Sequence, residues 1–269
     1  MPTFQLSEHV NIQYSDHDFS NPWDQAEAIL FLHGNAESHQ VWFNWIPHLA
    51  RHFRVICPDM RGFGESTPMP VDHAWSLDEL VEDAVKLMNA LGIERFHLVG
   101  AKLGGTVARR FAASYPHKIL TLTLAGTPAA NRGDLTERTK AWTLEFETHG
   151  VSRWAKQSMQ SRLGAQFPLE GVNWWIDLMS QTPVSSQIGF MKVIPSSVIT
   201  HDLPNIKCPT LVFTTQGSAL GSSDEVKAWQ CQIKNSKLIV LSGDSYHVAA
   251  SHGDECAQLM LTFIEQSSY

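Results

Sequence analysis

One segment, FHLVGAKLGGTVARRFAASYP at residues 96–116, restricts the fold of this chain more than any other. A short apolar run reaches a glycine-rich turn and continues as a helix-forming stretch that ends before Pro116. Gly100, Gly104 and Gly105 lack a Cβ, so the backbone can turn very tightly from strand into helix. Lys102 lies at the apex of this turn. The sequence therefore predicts a strand–turn–helix unit that exposes the side-chain amine of Lys102 to solvent.

Composition and charge indicate one globular, enzyme-sized unit with a small-molecule substrate. The 269 residues are 43% hydrophobic and 17% charged, which suits a single α/β domain with an insertion. A net charge of −7 without a run of Lys or Arg argues against nucleic acid or an anionic membrane as partner. Residues 1–18 have no leader pattern, and no window approaches the roughly 18 apolar residues of a spanning helix, so we expect a cytoplasmic protein. The sequence leaves the oligomeric state open.

The cysteines give no sign of a metal or disulfide framework. The four of them are scattered without C-x-x-C spacing. Such spacing is typical of zinc sites, and paired cysteines at regular intervals are typical of small secreted domains. We therefore expect buried thiols, no metal and no cofactor.

Strand and helix patterns alternate along both ends of the chain. Apolar runs near 28–32, 53–59, 96–101, 119–126, 208–215 and 237–243 predict buried strands, and 10–14 predicts an edge strand. Apolar residues recur at helical spacing, and we predict helices, over 38–53, 76–91, 103–116 and 254–266. Such alternation favours right-handed crossovers in a mostly parallel sheet flanked by helices.

The alternation of strand and helix patterns stops between residues 127 and 205, where there are no strand-like apolar runs. Helical patterns rich in Trp and Met replace them. We expect an α/β core at residues 1–126 and 206–269, and a helical lid at 127–205. Trp142, Trp154 and Trp175 are candidates for the wall of a pocket under this lid, the alternative being that they form only the lid's own core.

The chain resembles the α/β-hydrolase superfamily in the order and spacing of five segments. These are LHGNAES, DMRGFGES, GAKLGG, CPTLVFTT and GDSYHVAA. The resemblance covers essentially the whole chain. The compact lid and the HDLPNIKCPTLVF junction are most similar to the branch of 3-oxoadipate enol-lactonases and haloperoxidases. The resemblance implies the α/β-hydrolase fold and the activity of a hydrolase, or of a hydrolase or lyase that cleaves C–C bonds.

The resemblance also implies site residues, matched position by position. The family's nucleophilic serine, at the apex of its nucleophile elbow, falls on Lys102, and its catalytic histidine falls on His247. The N–H groups of Asn35 and Leu103 match its oxyanion hole.

The position of the family's acid falls on a residue that is not an acid. Ser218 stands there, and Asp224 lies six residues further on, where it could substitute only if the loop folds back. The usual Ser-Asp-His triad is therefore not expected.

A lysine at the elbow changes the chemistry. Acyl transfer to Lys102 would form an amide that resists hydrolysis, so two other readings remain. Lys102 either forms an imine with a ketone while His247 moves protons, or stays a cation that stabilises an oxyanion or enolate while His247 acts as base. Burial and the helix N-terminus favour the neutral amine, whereas a nearby Glu37 would favour the cation.

We favour the cationic reading, with a lactone, β-diketone or β-keto acid as substrate. Glu37 and Asp224 are weaker candidates, because most such carboxylates are solvated surface charges, and Ser218 fits an ordinary loop serine. The alternative function is a non-catalytic protein that binds a ligand in the same pocket.

Overall fold

Eight strands form one sheet within residues 1–129 and 135–267, the parts of the chain that this computed structural model describes. The strands are β1 (Thr3–Gln5), β2 (Asn11–His17), β3 (Ala28–Leu32), β4 (Arg54–Pro58), β5 (Phe96–Ala101), β6 (Ile119–Ala125), β7 (Thr210–Thr215) and β8 (Ser236–Leu241). Their spatial order is β1-β2-β4-β3-β5-β6-β7-β8. β1 pairs antiparallel with β2, and β2 with β4, whereas all pairs from β4 to β8 are parallel. The predicted mostly parallel sheet is confirmed.

Helices flank this sheet and also form an insertion. The α-helices are α1 (Ile46–Leu49), α2 (Leu77–Ala90), α3 (Leu103–Ser114), α4 (Thr136–Leu163), α5 (Leu169–Ser180), α6 (Val184–Val193), α7 (Ser223–Gln230), α8 (Val248–Ser251) and α9 (Gly253–Ser267), with 3₁₀ turns at His39–Trp42, Ile194–Ser196 and Thr200–Asn205. Helices α4, α5 and α6 lie between β6 and β7 in the chain, and we call them the inserted helices. In the described residues no helix is both long and apolar enough to cross a membrane.

The central strands are buried along their whole length, which explains their continuous apolar runs. Every residue of β3, β5 and β7 is buried. Phe31 on β3 packs against Trp42 and Trp45, with ring centroids 4.6 and 5.8 Å apart. Burial on both faces is the usual situation of a parallel strand covered by helices.

The predicted turn at Lys102 joins β5 directly to α3. Lys102 has φ 51° and ψ −120°, a conformation that side-chain-bearing residues rarely adopt. A Cβ at Gly104 would collide with the backbone carbonyl oxygens of Leu32 and His33, so only glycine lets α3 start this close to β3. The fold thus holds Lys102 in a strained turn at the carboxyl end of the sheet.

Two local predictions were wrong. The single helix predicted over 38–53 is a 3₁₀ turn at His39–Trp42 followed by the short α1. Pro47 lies in the first turn of α1; it has no backbone N–H to bond to the preceding turn, so a new helix begins there. The strand predicted as an edge is β2, which pairs on both sides, and the edge is β1.

The strain at position 102 predicts an unusual order of stabilities. Lys102→Gly and Lys102→Ala remove the same amine, but only glycine adopts a positive φ without cost. We expect the glycine variant to be more stable than the alanine variant by about 1 kcal/mol, the cost of a left-handed conformation for a residue with a Cβ. Urea unfolding followed by circular dichroism measures the difference. An alanine variant as stable as the glycine variant would show that the turn is not strained.

Candidate active site

A cavity of ≈ 280 Å³ opens above the turn of Lys102. Its walls come from the carboxyl end of the sheet and from the inserted helices. They are formed by Asn35, Lys102, Leu103, Pro128, Arg138, Trp142, Trp154, Ser158, Arg162, Met191, Leu220 and Tyr246. Both predicted oxyanion residues, Asn35 and Leu103, therefore line the same cavity as Lys102. Leu103 is the first residue of α3, where backbone N–H groups have no partner within the helix.

The loop that follows β3 is held in a fixed shape by buried hydrogen bonds. The Nδ1 atom of His33 lies 2.7 Å from the carbonyl oxygen of Gly34, and its Nε2 accepts the N–H of Met60 at 2.9 Å. Ala36 has φ 59°, which folds the chain back at this point. As a result the side chain of Glu37 returns over Gly34, whose N–H it accepts at 2.8 Å.

Glu37 and His247 form a buried pair. The Oε1 atom of Glu37 lies 2.8 Å from Nε2 of His247, and each residue is only 1% exposed. The other carboxylate oxygen is the one bonded to Gly34. The prediction that Glu37 is more often a solvated surface charge was wrong for this residue, because the fold of the loop carries it inward. A carboxylate thus stands beside the histidine, although it comes from a different loop than the family pattern suggests.

The pKa of Glu37 is low. Burial by itself would raise it, but the charge and hydrogen bond of His247, with the charge of Lys102, outweigh burial and lower the pKa from 4.5 to about 2. Burial lowers the pKa of His247, and the nearby Glu37 offsets only part of that effect. At neutral pH the pair is therefore an ionised carboxylate and a neutral imidazole.

This charge state fixes the tautomer of His247. A carboxylate only accepts hydrogen bonds, so the neutral ring must donate its Nε2–H to Glu37. The proton is then absent from Nδ1. Nδ1 is buried and has no hydrogen-bond partner among the described residues. His247 consequently keeps a basic lone pair at Nδ1.

Lys102 lies close to these two groups and to an aromatic ring. Its side chain is 7% exposed, and Nζ stands 5.1 Å from the centroid of the Tyr246 ring. Its charge acts on both Glu37 and His247. An ionised carboxylate and the face of an aromatic ring both stabilise an ammonium group.

The three predicted pocket tryptophans separate into two groups. Trp142 and Trp154 line the cavity. Trp175 does not; it is buried against the ring of His247, with centroids 4.8 Å apart. Its position on α5 turns it toward the histidine loop, so it supports His247 from the side.

Neither Ser218, at the position of the family's acid, nor Asp224, the weighed substitute, is bonded to His247. The hydroxyl of Ser218 accepts the N–H of Leu220 at 3.3 Å within its own loop. Asp224 is exposed in the first turn of α7, because its loop continues into that helix and does not fold back. Glu37 occupies the place beside His247 that these residues do not fill.

Tyr246 and Arg162 are among the cavity residues that were not predicted from the sequence. Tyr246 directly precedes His247 in the sequence, so its position close to the site was predictable from that adjacency. Arg162 lies in the last turn of α4, which is kinked at Gly150 (φ 70°, ψ −178°), and no local motif marks it. Across the described residues there is no group of three or more His, Cys, Asp or Glu side chains that could hold a metal ion.

Comparison with known proteins gives sequence relatives, several of which match over only part of the chain. A fluoroacetate dehalogenase from Burkholderia sp. is 41% identical over 99 residues, 35% of this chain and 32% of that protein. A 2-hydroxymuconate semialdehyde hydrolase from Pseudomonas sp. (strain CF600) is 38% identical over 102 residues, 37% of this chain and 36% of that protein. The matches thus span about a third of each of these relatives.

Structural similarity extends over the whole fold. The enol-lactonase from Burkholderia xenovorans LB400 superposes on this chain with a TM-score of 0.88 at 20% sequence identity. The superposition covers 98% of this chain and 100% of the enol-lactonase chain. Residues 27–250 also match the family model described as alpha/beta hydrolase fold. The sheet order, the tight turn after β5 and the histidine after β8 agree with that match, and this chain belongs to the α/β-hydrolase fold family.

Proposed function

We propose that this protein is an enzyme that cleaves a small carbonyl compound, with Lys102 as a cation and His247 as general base. In this proposal Lys102 takes the position of the family's nucleophilic serine, and no acyl-enzyme forms. The observation that carries the proposal is the buried hydrogen bond between Glu37 and His247 beside the turn of Lys102. It supplies the acid that the sequence lacks at the family's position, and its charge favours the ammonium form of Lys102.

The cationic form of Lys102 suits stabilisation of an oxyanion. Imine formation needs a neutral amine, whereas an ionised Glu37 and the Tyr246 ring both stabilise the cation. Asn35 and Leu103 line the same cavity, and in this proposal their backbone N–H groups face the substrate. Together they would offer three hydrogen-bond donors to a negative oxygen, the arrangement that contributes most to such reactions.

His247 and Glu37 would act as one unit. A water molecule gives a proton to Nδ1 of His247 while its oxygen adds to the carbonyl carbon of the substrate. The carbonyl oxygen becomes an oxyanion near Lys102, and Glu37 stabilises the resulting imidazolium through Nε2. Collapse of the oxyanion then breaks the C–O or C–C bond, and the leaving group takes the proton back from Nδ1.

We propose a lactone, β-diketone or β-keto acid as substrate. The hydrolase of 2-hydroxymuconate semialdehyde and the enol-lactonase among the similar proteins support this range. Residues 127–205 would act as a lid over the core formed by 1–126 and 206–269. The position of Trp142 and Trp154 on α4, facing the cavity, supports that arrangement.

Replacing the base should stop turnover. With a panel of lactones, β-diketones and β-keto acids, we expect His247→Ala to lower kcat by about 10²-fold or more, the usual contribution of a general base. Asp224→Asn serves as control, because Asp224 is exposed in the first turn of α7, and should keep the full rate. Full activity of His247→Ala would remove this residue from the mechanism. No turnover by the wild type, with saturable thermal stabilisation by a ligand, would instead favour a binding protein.

The charge state of Lys102 can be tested chemically. Borohydride reduces an imine to a stable amine and leaves a cationic lysine unchanged. We expect no mass increment on Lys102 when the protein is incubated with each ketone of the panel and borohydride. A peptide carrying the reduced adduct at Lys102 would contradict the cationic mechanism and support the imine.

The ionised Glu37 should also show in the pH dependence of stability. Its pKa falls from 4.5 in the unfolded chain to about 2 in the folded protein, so it stabilises the fold above pH 4.5. We expect Glu37→Gln to be less stable than the wild type by about 3 kcal/mol at pH 7, because each tenfold change in proton affinity corresponds to about 1.4 kcal/mol. The difference in free energy of unfolding between the wild type and Glu37→Gln should shrink as the pH falls below 4.5. At pH 3.5 it should be smaller than at pH 7 by about 1 kcal/mol.

Urea unfolding between pH 7.5 and 3.5 measures this gap. Glu94→Gln is the control: Glu94 is exposed, and the variant should follow the wild type at every pH. A gap between Glu37→Gln and the wild type that stays constant over this range would mean that the pKa of Glu37 is the same in the folded and the unfolded protein. A wild type that gains stability relative to the variant as the pH falls would mean that folding raises this pKa, and either result would contradict the ionised pair.

A further inference from the structure

Arg162 is a buried cation in the wall of the cavity. It is 5% exposed, and its guanidinium carbon lies 4.2 Å from the centroid of the Trp154 ring. Its Nε donates a hydrogen bond to Oγ of Ser158 at 3.0 Å. Stacking and this hydrogen bond together hold the guanidinium plane in one orientation.

The backbone of Arg162 is bonded to the loop that carries His247. The carbonyl oxygen of Arg162 accepts the N–H of His247 at 2.9 Å and the hydroxyl of Ser245 at 2.8 Å. The C-terminal end of α4 is therefore fixed relative to the histidine. A ligand group bound by Arg162 would be held in a constant position with respect to Nδ1 of His247.

Within residues 1–129 and 135–267, the charge of Arg162 has no carboxylate close to it. Among the described residues no Asp or Glu forms an ion pair with its guanidinium, and the Ser158 bond is its one side-chain hydrogen bond. Glu37 acts on Arg162 only from a longer distance and is already bonded to His247 and Gly34.

The rest of the cavity wall has the same sign of charge. Its charged lining residues are Lys102, Arg138 and Arg162, and no described carboxylate is among them. Arg138 is exposed near the cavity and stacks over Trp142 at 4.8 Å. A buried guanidinium without a close counter-charge is costly, and an anionic ligand would remove that cost.

We propose that the cavity binds a substrate that carries a carboxylate, and that Arg162 is the residue that binds it. The planar guanidinium fork matches a carboxylate with two parallel hydrogen bonds, which gives both affinity and orientation. The apolar part of the substrate lies between Trp142 and Trp154, and its carbonyl group lies at Lys102. This inference rests on the proposed function and narrows its substrates to oxo acids and lactones with a free carboxylate, excluding neutral lactones and diketones.

The test compares a γ-keto acid with its uncharged isostere. The probes are 3-benzoylpropionate and 3-benzoylpropionamide, neither of which has a bond that the proposed reaction cleaves, so binding is measured without turnover. By isothermal titration calorimetry we expect the wild type to bind the acid at least about tenfold more tightly than the amide, the effect of one charge-assisted hydrogen bond. Arg162→Gln should bind both probes equally weakly.

Three controls make the result specific. Arg153→Gln removes an exposed arginine of the same helix, paired with Glu145 at 3.4 Å, and should keep the preference for the acid. Arg162→Lys keeps the charge without the fork and should show an intermediate preference. Circular dichroism and thermal melts establish that the Arg162 variants are folded, so that their affinities can be compared with the wild type.

Several outcomes would overturn the proposal. Equal affinity of the wild type for the acid and the amide is one, and an unchanged preference in folded Arg162→Gln is another. Inorganic phosphate that binds through Arg162 as tightly as the keto acid would make this a general anion site. If any of these results were found together with turnover that depends on His247, the carboxylate site would be wrong and the proposed function would stand. A clear preference for the acid without any turnover would support the carboxylate site and contradict the proposed function.

Discussion

The site depends on the buried hydrogen bond between Glu37 and His247. An ionised carboxylate without water is costly unless it accepts several hydrogen bonds and faces positive charge. Glu37 meets both conditions through the N–H of Gly34, the Nε2–H of His247 and the charge of Lys102. In return it determines which nitrogen of His247 carries the proton. The fold of the loop after β3, the histidine tautomer and the charge of Lys102 are thus parts of one electrostatic arrangement.

Three loops bring this arrangement together because parallel strands present their carboxyl ends at one edge of the sheet. Glu37 follows β3, Lys102 follows β5 and His247 follows β8. The inserted helices add a fourth element, since the carbonyl of Arg162 is bonded to the histidine loop. Ligands commonly bind at this edge in α/β folds. The strained backbone of Lys102 is consistent with a position kept for function at a cost in stability.

The sequence predicted the sheet well because its signals are local: apolar runs bounded by turns, and glycines at the one place where helix and strand nearly touch. Asn35 and Leu103 came instead from the resemblance to the α/β-hydrolase family, and they line the same cavity as Lys102. The partner of His247 could not be read in this way. Glu37 follows Ala36, whose positive φ folds the chain back, and Trp175 and Arg162 reach the histidine loop through the packing of helices far away in the chain.

The tautomer of His247 is the most direct measure of this account. Two-dimensional ¹⁵N–¹H NMR of protein labelled at the histidine ring nitrogens distinguishes protonated from unprotonated nitrogens, with His247→Gln used for assignment. We expect a neutral ring at pH 7 with the proton on Nε2 and none on Nδ1. An imidazolium at pH 7, or a neutral ring with its proton on Nδ1, would contradict the role assigned to Glu37 and with it the proposed base.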